Sequence, residues 1–551
     1  MSSQALLNLT ESKLLVFFKR ESESPWRAIL VMSVLSGIAN GLLLAVINAS
    51  AGTTSHLYLN IRYLVIFLLA FVLFYYTKKQ AMTQSTIIVE QVLRKVRVRI
   101  TDKIRSSSLL AFEGIGREVI YNRITQETTT ISQAAPVLIN ACQAAIMLLF
   151  AAIYIFYLSG AALLISVVSI GAGMIMYLAH HRQVSQELRQ ADLKEREFLA
   201  LLSQVMDGFK EIKLNHHKSD DLFAHFSGIA DESEHLRVRT GILYVKDFMF
   251  SQVAFYLLLA CLIFLMPQFS QTSAVTVIKL TASILFIIGP LETFISSIPF
   301  FAKANVAAVN LQELECRLDA AHDIPSSETA VEVSPLFSAI TIEDVMFSYT
   351  DAEGRQLFSV GPVREEVRQG EVLFVVGGNG SGKSTFLKLL TGLYEPRSGT
   401  IMIDDITLDR NSMASYRELF SIVFTDFHLF ERLYGIDVID TARVNDLICE
   451  MELDKKTSFS NGRFTNINLS TGQRKRLALI AALMDDKPVC VFDEVAADQD
   501  PIFRKYFYET FLAKLKRQGK TVVAVSHDDR YFHVADRIIR MDYGKVIREG
   551  A

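Results

Sequence analysis

The chain has 551 residues, half of them hydrophobic and 21% charged, with a mean hydropathy of +0.28. That balance excludes intrinsic disorder, a disulfide scaffold and a collagen-like fibre, and it calls for both a lipid-embedded part and a soluble part. A formal net charge of −3 gives no bulk case for nucleic-acid binding, and Cys142, Cys261, Cys316, Cys449 and Cys490 lack metal spacing and read as buried thiols in a reducing compartment.

Residues Ala28 to Ser50 carry no Asp, Glu, Lys or Arg, enough to cross a hydrocarbon core of roughly 30 Å as a helix. A second apolar run covers Leu57 to Thr77, with Arg62 near its start, where it can snorkel to the headgroups. From Thr128 to Ala179 there is no formal charge, which suits a hairpin of two spans turning near Ser159-Gly160. Phe248 to Ala302 is interrupted only by Lys279 and Glu292 and suits another hairpin, turning near Pro267-Gln268. The expectation is six spans. The loops near 51–60, 159–160 and 267–275 hold no Lys or Arg, whereas the opposite side is rich in both, so both termini are expected in the cytoplasm.

Two charged segments, 78–127 and 180–247, read as helical arms leaving the membrane, with Val89 to Ile104 and Gln183 to Met206 as helices. They are either solvated helices or arms that touch a cytoplasmic partner. Glu292, two residues after Pro290, either lines a cavity where it meets a cationic substrate group, or pairs with a neighbouring helix or lies near the cytoplasmic leaflet, since an ionisable group there is costly in lipid. Leu311 to Asp323 reads as a charged linker and Pro325-Ser326-Ser327 as a turn. The domain expectation is a transmembrane domain over 1–322 and a second domain over 323–551, where short apolar strands alternate with helices in an α/β pattern.

In the second domain a strand over Glu371 to Val376 leads into Gly377-Gly-Asn379-Gly380-Ser381-Gly382-Lys383-Ser384-Thr385 and then a helix. Strand, GxxxxGK[ST] and helix in this order form a phosphate-binding loop. Its glycines let backbone N–H groups turn toward phosphates, Lys383 reaches the β/γ-phosphates and Ser384 can ligate Mg²⁺. A second apolar strand, from Val489, ends in Asp493 and Glu494. Asp493 suits the Mg²⁺ shell and Glu494 the general base for an attacking water. Leu469-Ser470-Thr471-Gly472-Gln473 alone would be a helix N-cap.

Placed between those two motifs, the same stretch resembles the signature of ATP-binding-cassette proteins. Tyr349 then matches the aromatic that stacks on adenine, Ala497-Asp-Gln-Asp500 the D-loop, and His527 the switch histidine. Six spans followed by one cassette resemble a half-size ABC exporter over essentially the whole chain. The resemblance implies an all-α six-helix transmembrane domain followed by an α/β P-loop cassette, in the bacterial inner membrane. It implies a homodimer holding two ATP molecules, each bound by one chain's Lys383 and the other chain's Ser470, Gly472 and Gln473. Arm tips near Phe112–Arg117 and Asn215–Leu222 would dock on the cassettes. Where the family has a Q-loop Gln, this chain has Thr425, too short to span the same distance to Mg²⁺, so that Asp426, or a water held by Thr425, would substitute there, and Thr471 replaces a Gly.

FTDFHLF, LSTGQRKR, DEVAADQDP and SHDDRYF further resemble bacterial exporters of cyclic peptides and siderophores, including a pyoverdine precursor, cyclic lipodepsipeptides and a microcin. The expected function is export of a peptide natural product. The competing expectations are a lipid flippase or multidrug exporter, and a membrane-anchored regulatory ATPase without a transported solute. No papain-like Cys/His segment precedes the spans, so no leader-peptide cleavage is expected.

Overall fold

The computed structural model describes residues 13–21, 26–51, 61–265, 274–321, 331–351 and 353–547. They form two compact units, one of residues 1–100 and 121–314, the other of 101–120 and 315–551.

The first unit is helical: α1 (Lys13–Glu21), α2 (Trp26–Ala51), α3 (Ile61–Arg105), then beyond residue 120 α4 (Thr128–Leu158), α5 (Gly160–Asp207), α6 (Phe209–Leu214), α7 (His216–Ala260) and α8 (Ala274–Ala320). Stretches within α2, α3, α4 and α8 are long and apolar enough to cross a membrane, while the apolar stretches Gly160–Ala172 and Gln252–Phe264 of the other two long helices are shorter among the described residues. The hairpin turn falls where it is expected. Ser159 is extended (φ −166°) and its hydroxyl accepts from the Ala162 amide, ending α4 and capping α5. The turn at Pro267-Gln268 and the Pro325–Ser327 turn lie outside the described residues. Both arms are unbroken extensions of their spans, α3 reaching Arg105 and α5 reaching Asp207.

Two expectations need correction. Leu311 to Ala320 is no loose linker: it continues α8, because Leu311, Leu314 and Leu318 recur at helical spacing and are buried beneath the charges. Cys316 and Cys449 are exposed rather than buried, on the outer faces of their helices.

Helix α2 packs on α4 through small residues. A Cβ on Gly37 would lie 2.6 Å from Ile146 Cγ2, and one on Gly41 2.9 Å from Phe150 Cβ. Backbones approach this closely only where side chains are absent, a common way of holding helices together in lipid. Gly41→Leu is therefore expected to cost about 1–3 kcal/mol by overpacking. A lower melting temperature of the detergent-solubilised protein would register it; an unchanged one would count against this packing.

The second unit is α/β. Its six-stranded sheet has the order β12 (Lys545–Ile547), β11 (Arg537–Asp542), β3 (Val372–Gly377), β10 (Thr521–Val525), β9 (Val489–Asp493) and β6 (Phe420–Val423), parallel except at β12. The four-stranded antiparallel sheet has the order β2 (Gln356–Arg368), β1 (Ala339–Thr350), β4 (Ser398–Ile403), β5 (Ile406–Thr407). Every residue of β9 and β10 is buried, as continuous apolar runs in a parallel sheet require.

Candidate functional site: a phosphate loop and an acidic strand end

The carboxyl ends of β3, β6, β9 and β10 converge on one edge of the parallel sheet, the usual ligand-binding edge of α/β folds. The phosphate loop leaves β3 here. Gly377 has no room for a Cβ, which would meet the Met541 carbonyl at 2.3 Å, and Gly382, at φ 98°, adopts the left-handed turn that opens the helix Lys383–Leu390. Asn379 and Gly380 are exposed at the loop's crest. Lys383 is buried and donates to the carbonyls of Gly377 (3.1 Å) and Gly378 (3.0 Å). The Ser381 hydroxyl is buried without a hydrogen-bond partner, inside the curl of the loop.

Ser384 donates to Asp493 Oδ2 at 3.0 Å, and Asp493 Oδ1 is buried with no partner. A buried carboxylate oxygen left unpaired beside a hydroxyl fits a divalent cation. Burial pushes the Asp493 carboxyl above its usual range, the Ser384 hydrogen bond opposes this, and the adjacent Glu494 adds to it. A bound cation would favour the ionised carboxylate. The Thr425 hydroxyl donates to the Asp493 carbonyl at 3.2 Å, so it stands beside this pair; Thr425 and Asp426 are both exposed residues.

Glu494 sits at φ 51°, a left-handed conformation uncommon for a residue with a Cβ and characteristic of functional turns. The turn sets its carboxylate 2.7 Å from His527 Nε2 and 3.8 Å from Lys383 Nζ. Lys383, Ser384, Thr425, Asp493, Glu494 and His527 are thus brought together from segments up to 144 residues apart.

Tyr349 lies at the end of β1, its hydroxyl 3.3 Å from Thr385 Oγ1 and donating to Tyr394 Oη at 3.3 Å. Tyr394 donates in turn to Glu113 at 2.5 Å, and Lys388 reaches the other Glu113 oxygen at 2.9 Å. Glu113 belongs to the short helix Leu109–Ile115 at the tip of the first arm. Desolvation, aided by the Glu113 carboxylate, holds the Tyr394 hydroxyl protonated far above its usual range. Glu113 lies in the arm tip near Phe112–Arg117 that is expected to dock on the cassette, but nothing local in the sequence marks Tyr394, 281 positions away, as its partner.

The signature residues form a separate cluster. Ser470 accepts from the Gln473 amide, and Gln473 Oε1 accepts from the Ser470 amide at 3.3 Å, a capping box on the helix Thr471–Met484. The Gly472 carbonyl accepts from Gln499 Nε2 at 2.9 Å. Asp500 caps the helix Pro501–Lys505 and pairs with Arg476; the Phe503 amide, and then that guanidinium, hold its carboxyl below the usual range. Within one chain, then, the hydrogen bonds of Ser470, Gly472, Gln473 and Asp500 run to this cluster and not to the phosphate loop among the described residues. Lys475 and Arg476, part of the basic run that follows the signature, are buried in the same cluster, a role that the sequence does not assign them; charges on a helix face shared with Ala478, Leu479 and Ala482 are the available signal.

Residues 360–497 match the ABC transporter family model. The chain is 31% identical over 474 residues to the ATP-binding protein SyrD of Pseudomonas syringae pv. syringae, covering 83% of each. It is 24% identical to an ATP-dependent lipid A-core flippase of Methylobacillus flagellatus, over 84% of this chain and 80% of that one. A solved bacterial Atm1-family ABC exporter with ATP bound superimposes with a TM-score of 0.73 over 94% of this chain and 93% of the other, at 19% identity.

Proposed function

This chain belongs to the ABC exporters, as a half-transporter with one membrane domain and one ATPase cassette, and from that premise we propose that it exports a peptide natural product across a bacterial inner membrane. The class comprises cyclic peptides, lipopeptides and peptide siderophores. The chain is a multi-pass membrane protein that binds ATP and couples its hydrolysis to transport. The observation that carries the hydrolytic reading is the convergence of Lys383, Ser384, Asp493, Glu494 and His527 on one sheet edge.

In the proposed mechanism the phosphate loop wraps the nucleotide with its N–H groups, Lys383 exchanges its carbonyl partners for phosphate oxygens, and Tyr349 stacks on the adenine. Ser384 and Asp493 would hold Mg²⁺, which when bound would offset phosphate charge; Thr425 donates to the Asp493 carbonyl and fixes that backbone. Glu494 accepts a proton from the attacking water, with its carboxylate held in place by His527.

The working unit is a homodimer. A signature cluster that does not reach its own phosphate loop suits ATP held by Lys383 of the partner subunit, and a two-fold pair satisfies both sites at once. At the second arm's tip Leu214 is 88% exposed and Phe223 71%, apolar surface that a second subunit would cover. The Lys and Arg of the arms support a cytoplasmic position for both termini.

The peptide class is supported by the four stretches FTDFHLF, LSTGQRKR, DEVAADQDP and SHDDRYF. A lipid flippase is the second reading, favoured by the near full-length flippase relative. The pairing of Glu494 with His527 disfavours an inactive regulatory cassette. ATPase activity in lipid nanodiscs, titrated with cyclic peptides and peptide siderophores against lipid A and hydrophobic drugs, separates them. Saturable stimulation by peptides alone is expected; stimulation by lipid A alone would transfer the assignment to the flippase.

Glu292 is exposed on α8 beyond Pro290. Glu292→Gln is expected to alter stimulation by cationic peptides at least about fivefold, from loss of one charge contact, with basal ATPase intact. An unchanged peptide response would make the carboxylate structural.

A further inference from the structure

The helix that begins with the signature residues is fastened to the turn that carries the catalytic carboxylate. Lys475, only 2% exposed, donates to the backbone carbonyl of Glu494 at 3.0 Å and pairs with the Asp498 carboxylate at 2.7 Å. One residue on, Arg476 donates to Gln499 Oε1 at 2.9 Å and to Asp500, with its guanidinium 4.0 Å from the centre of the Phe503 ring. Gln499 closes the loop by donating to the Gly472 carbonyl at 2.9 Å. The two backbones nearly touch: a Cβ on Gly472 would meet the Asp498 carbonyl at 2.8 Å. Glu494, Asp498, Gln499 and Asp500 are therefore tied to the first turns of one helix.

We propose that Lys475 is a positioning residue that holds Glu494 in its left-handed turn and links the signature end of each chain to hydrolysis at that chain's own phosphate loop. The physical reason lies in the turn. Glu494 is in a backbone conformation it does not favour by itself, so something must hold it there. Lys475 supplies a charge-assisted hydrogen bond to the carbonyl of that very residue, from a site with little water to compete. The Asp498 carboxylate compensates the buried ammonium and fixes its direction. A shift of the signature helix thus moves the Glu494 carboxylate, and a shift of the order of 1 Å in a catalytic group changes rate by about 100-fold. In the homodimer, ATP bound to one subunit presses on the signature of the other, so Lys475 makes each site's hydrolysis responsive to occupancy of its twin. This rests on the homodimer and on Glu494 as the base.

The test uses the full-length protein in nanodiscs, with MgATP as the ligand. Lys475→Met keeps the length of the side chain and removes the donor. It is expected to lower kcat at least about tenfold, to leave the Kd for a fluorescent ATP analogue within about twofold, and to bring the Hill coefficient of ATP hydrolysis down toward one. Asp498→Asn, whose own side chain is half-exposed, keeps the shape but removes the counter-charge of the Lys475 ammonium, and is expected to shift kcat and Hill coefficient the same way by less. The double variant should be no worse than Lys475→Met alone, since both act through one contact. Wild-type kcat and Hill coefficient in Lys475→Met, with Glu494→Gln inactive, would overturn the positioning role and leave the base assignment standing. Hydrolysis by Glu494→Gln at the wild-type rate would instead remove the base assignment on which the proposal rests. If Lys475→Met does not fold, wild-type kcat and cooperativity in Asp498→Asn overturns the proposal by itself.

Discussion

Glu494→Gln is expected to bind ATP with a Kd within about twofold of the wild type while its turnover falls at least about 100-fold, the ordinary contribution of a positioned general base. The amide keeps the volume and the turn of the carboxylate but cannot accept a proton. Its carbonyl oxygen still meets His527, which now stands 2.7 Å from Glu494 Oε1, so the local geometry should survive. The phosphate loop and Lys383 are untouched, which is why binding should not follow turnover. Phosphate release from the purified protein, read beside nucleotide affinity, checks both halves. Hydrolysis near the wild-type rate would remove Glu494 from the base role.

Asp493→Asn is expected to lose Mg²⁺-dependent turnover at least about 100-fold and, without Mg²⁺ and nucleotide, to melt at or above the wild-type temperature. The two effects have one cause. Asp493 is buried beside Glu494 with Oδ1 unpaired, and its carboxyl is pushed up chiefly by desolvation. A raised folded value means the protonated form is favoured in the fold. Its contribution to stability is therefore full below the ordinary carboxylate range and is lost as pH rises through the raised value. At neutral pH the ionised group costs stability, and a neutral amide relieves that cost while still accepting from Ser384. MgATP should raise the wild-type melting temperature and leave that of Asp493→Asn nearly unchanged. A variant both less stable than wild type and still activated by Mg²⁺ would refute the cation seat.

Local pattern made much of the fold legible. Charge-free runs marked the spans, the β-branched run before Gly377 marked β3, and the acids after Val489 marked the tip of β9, because each signal lies within a few residues. The phosphate loop was legible for the same reason. What stayed hidden depends on long-range contact. Leu311, Leu314 and Leu318 are masked by the charges between them, so the end of α8 looked like a linker. Gly37 and Gly41 lie in an apolar run where nothing distinguishes a packing face from a lipid face. Glu113 gains its meaning from Tyr394, and Lys475 from the turn at Glu494, and neither partner is near in sequence. The signature motif was ambiguous by its chemistry alone: Ser470 and Gln473 do cap a helix, and the capping box presents that helix end for a second task.

The most direct test of ATP-driven export is uptake into inside-out membrane vesicles, where an exporter pumps inward. With a labelled cyclic peptide chosen by its stimulation of ATPase activity, wild-type vesicles are expected to accumulate peptide only with MgATP, and Glu494→Gln vesicles not at all. Sustained ATP hydrolysis without accumulation of any stimulating peptide would contradict the account.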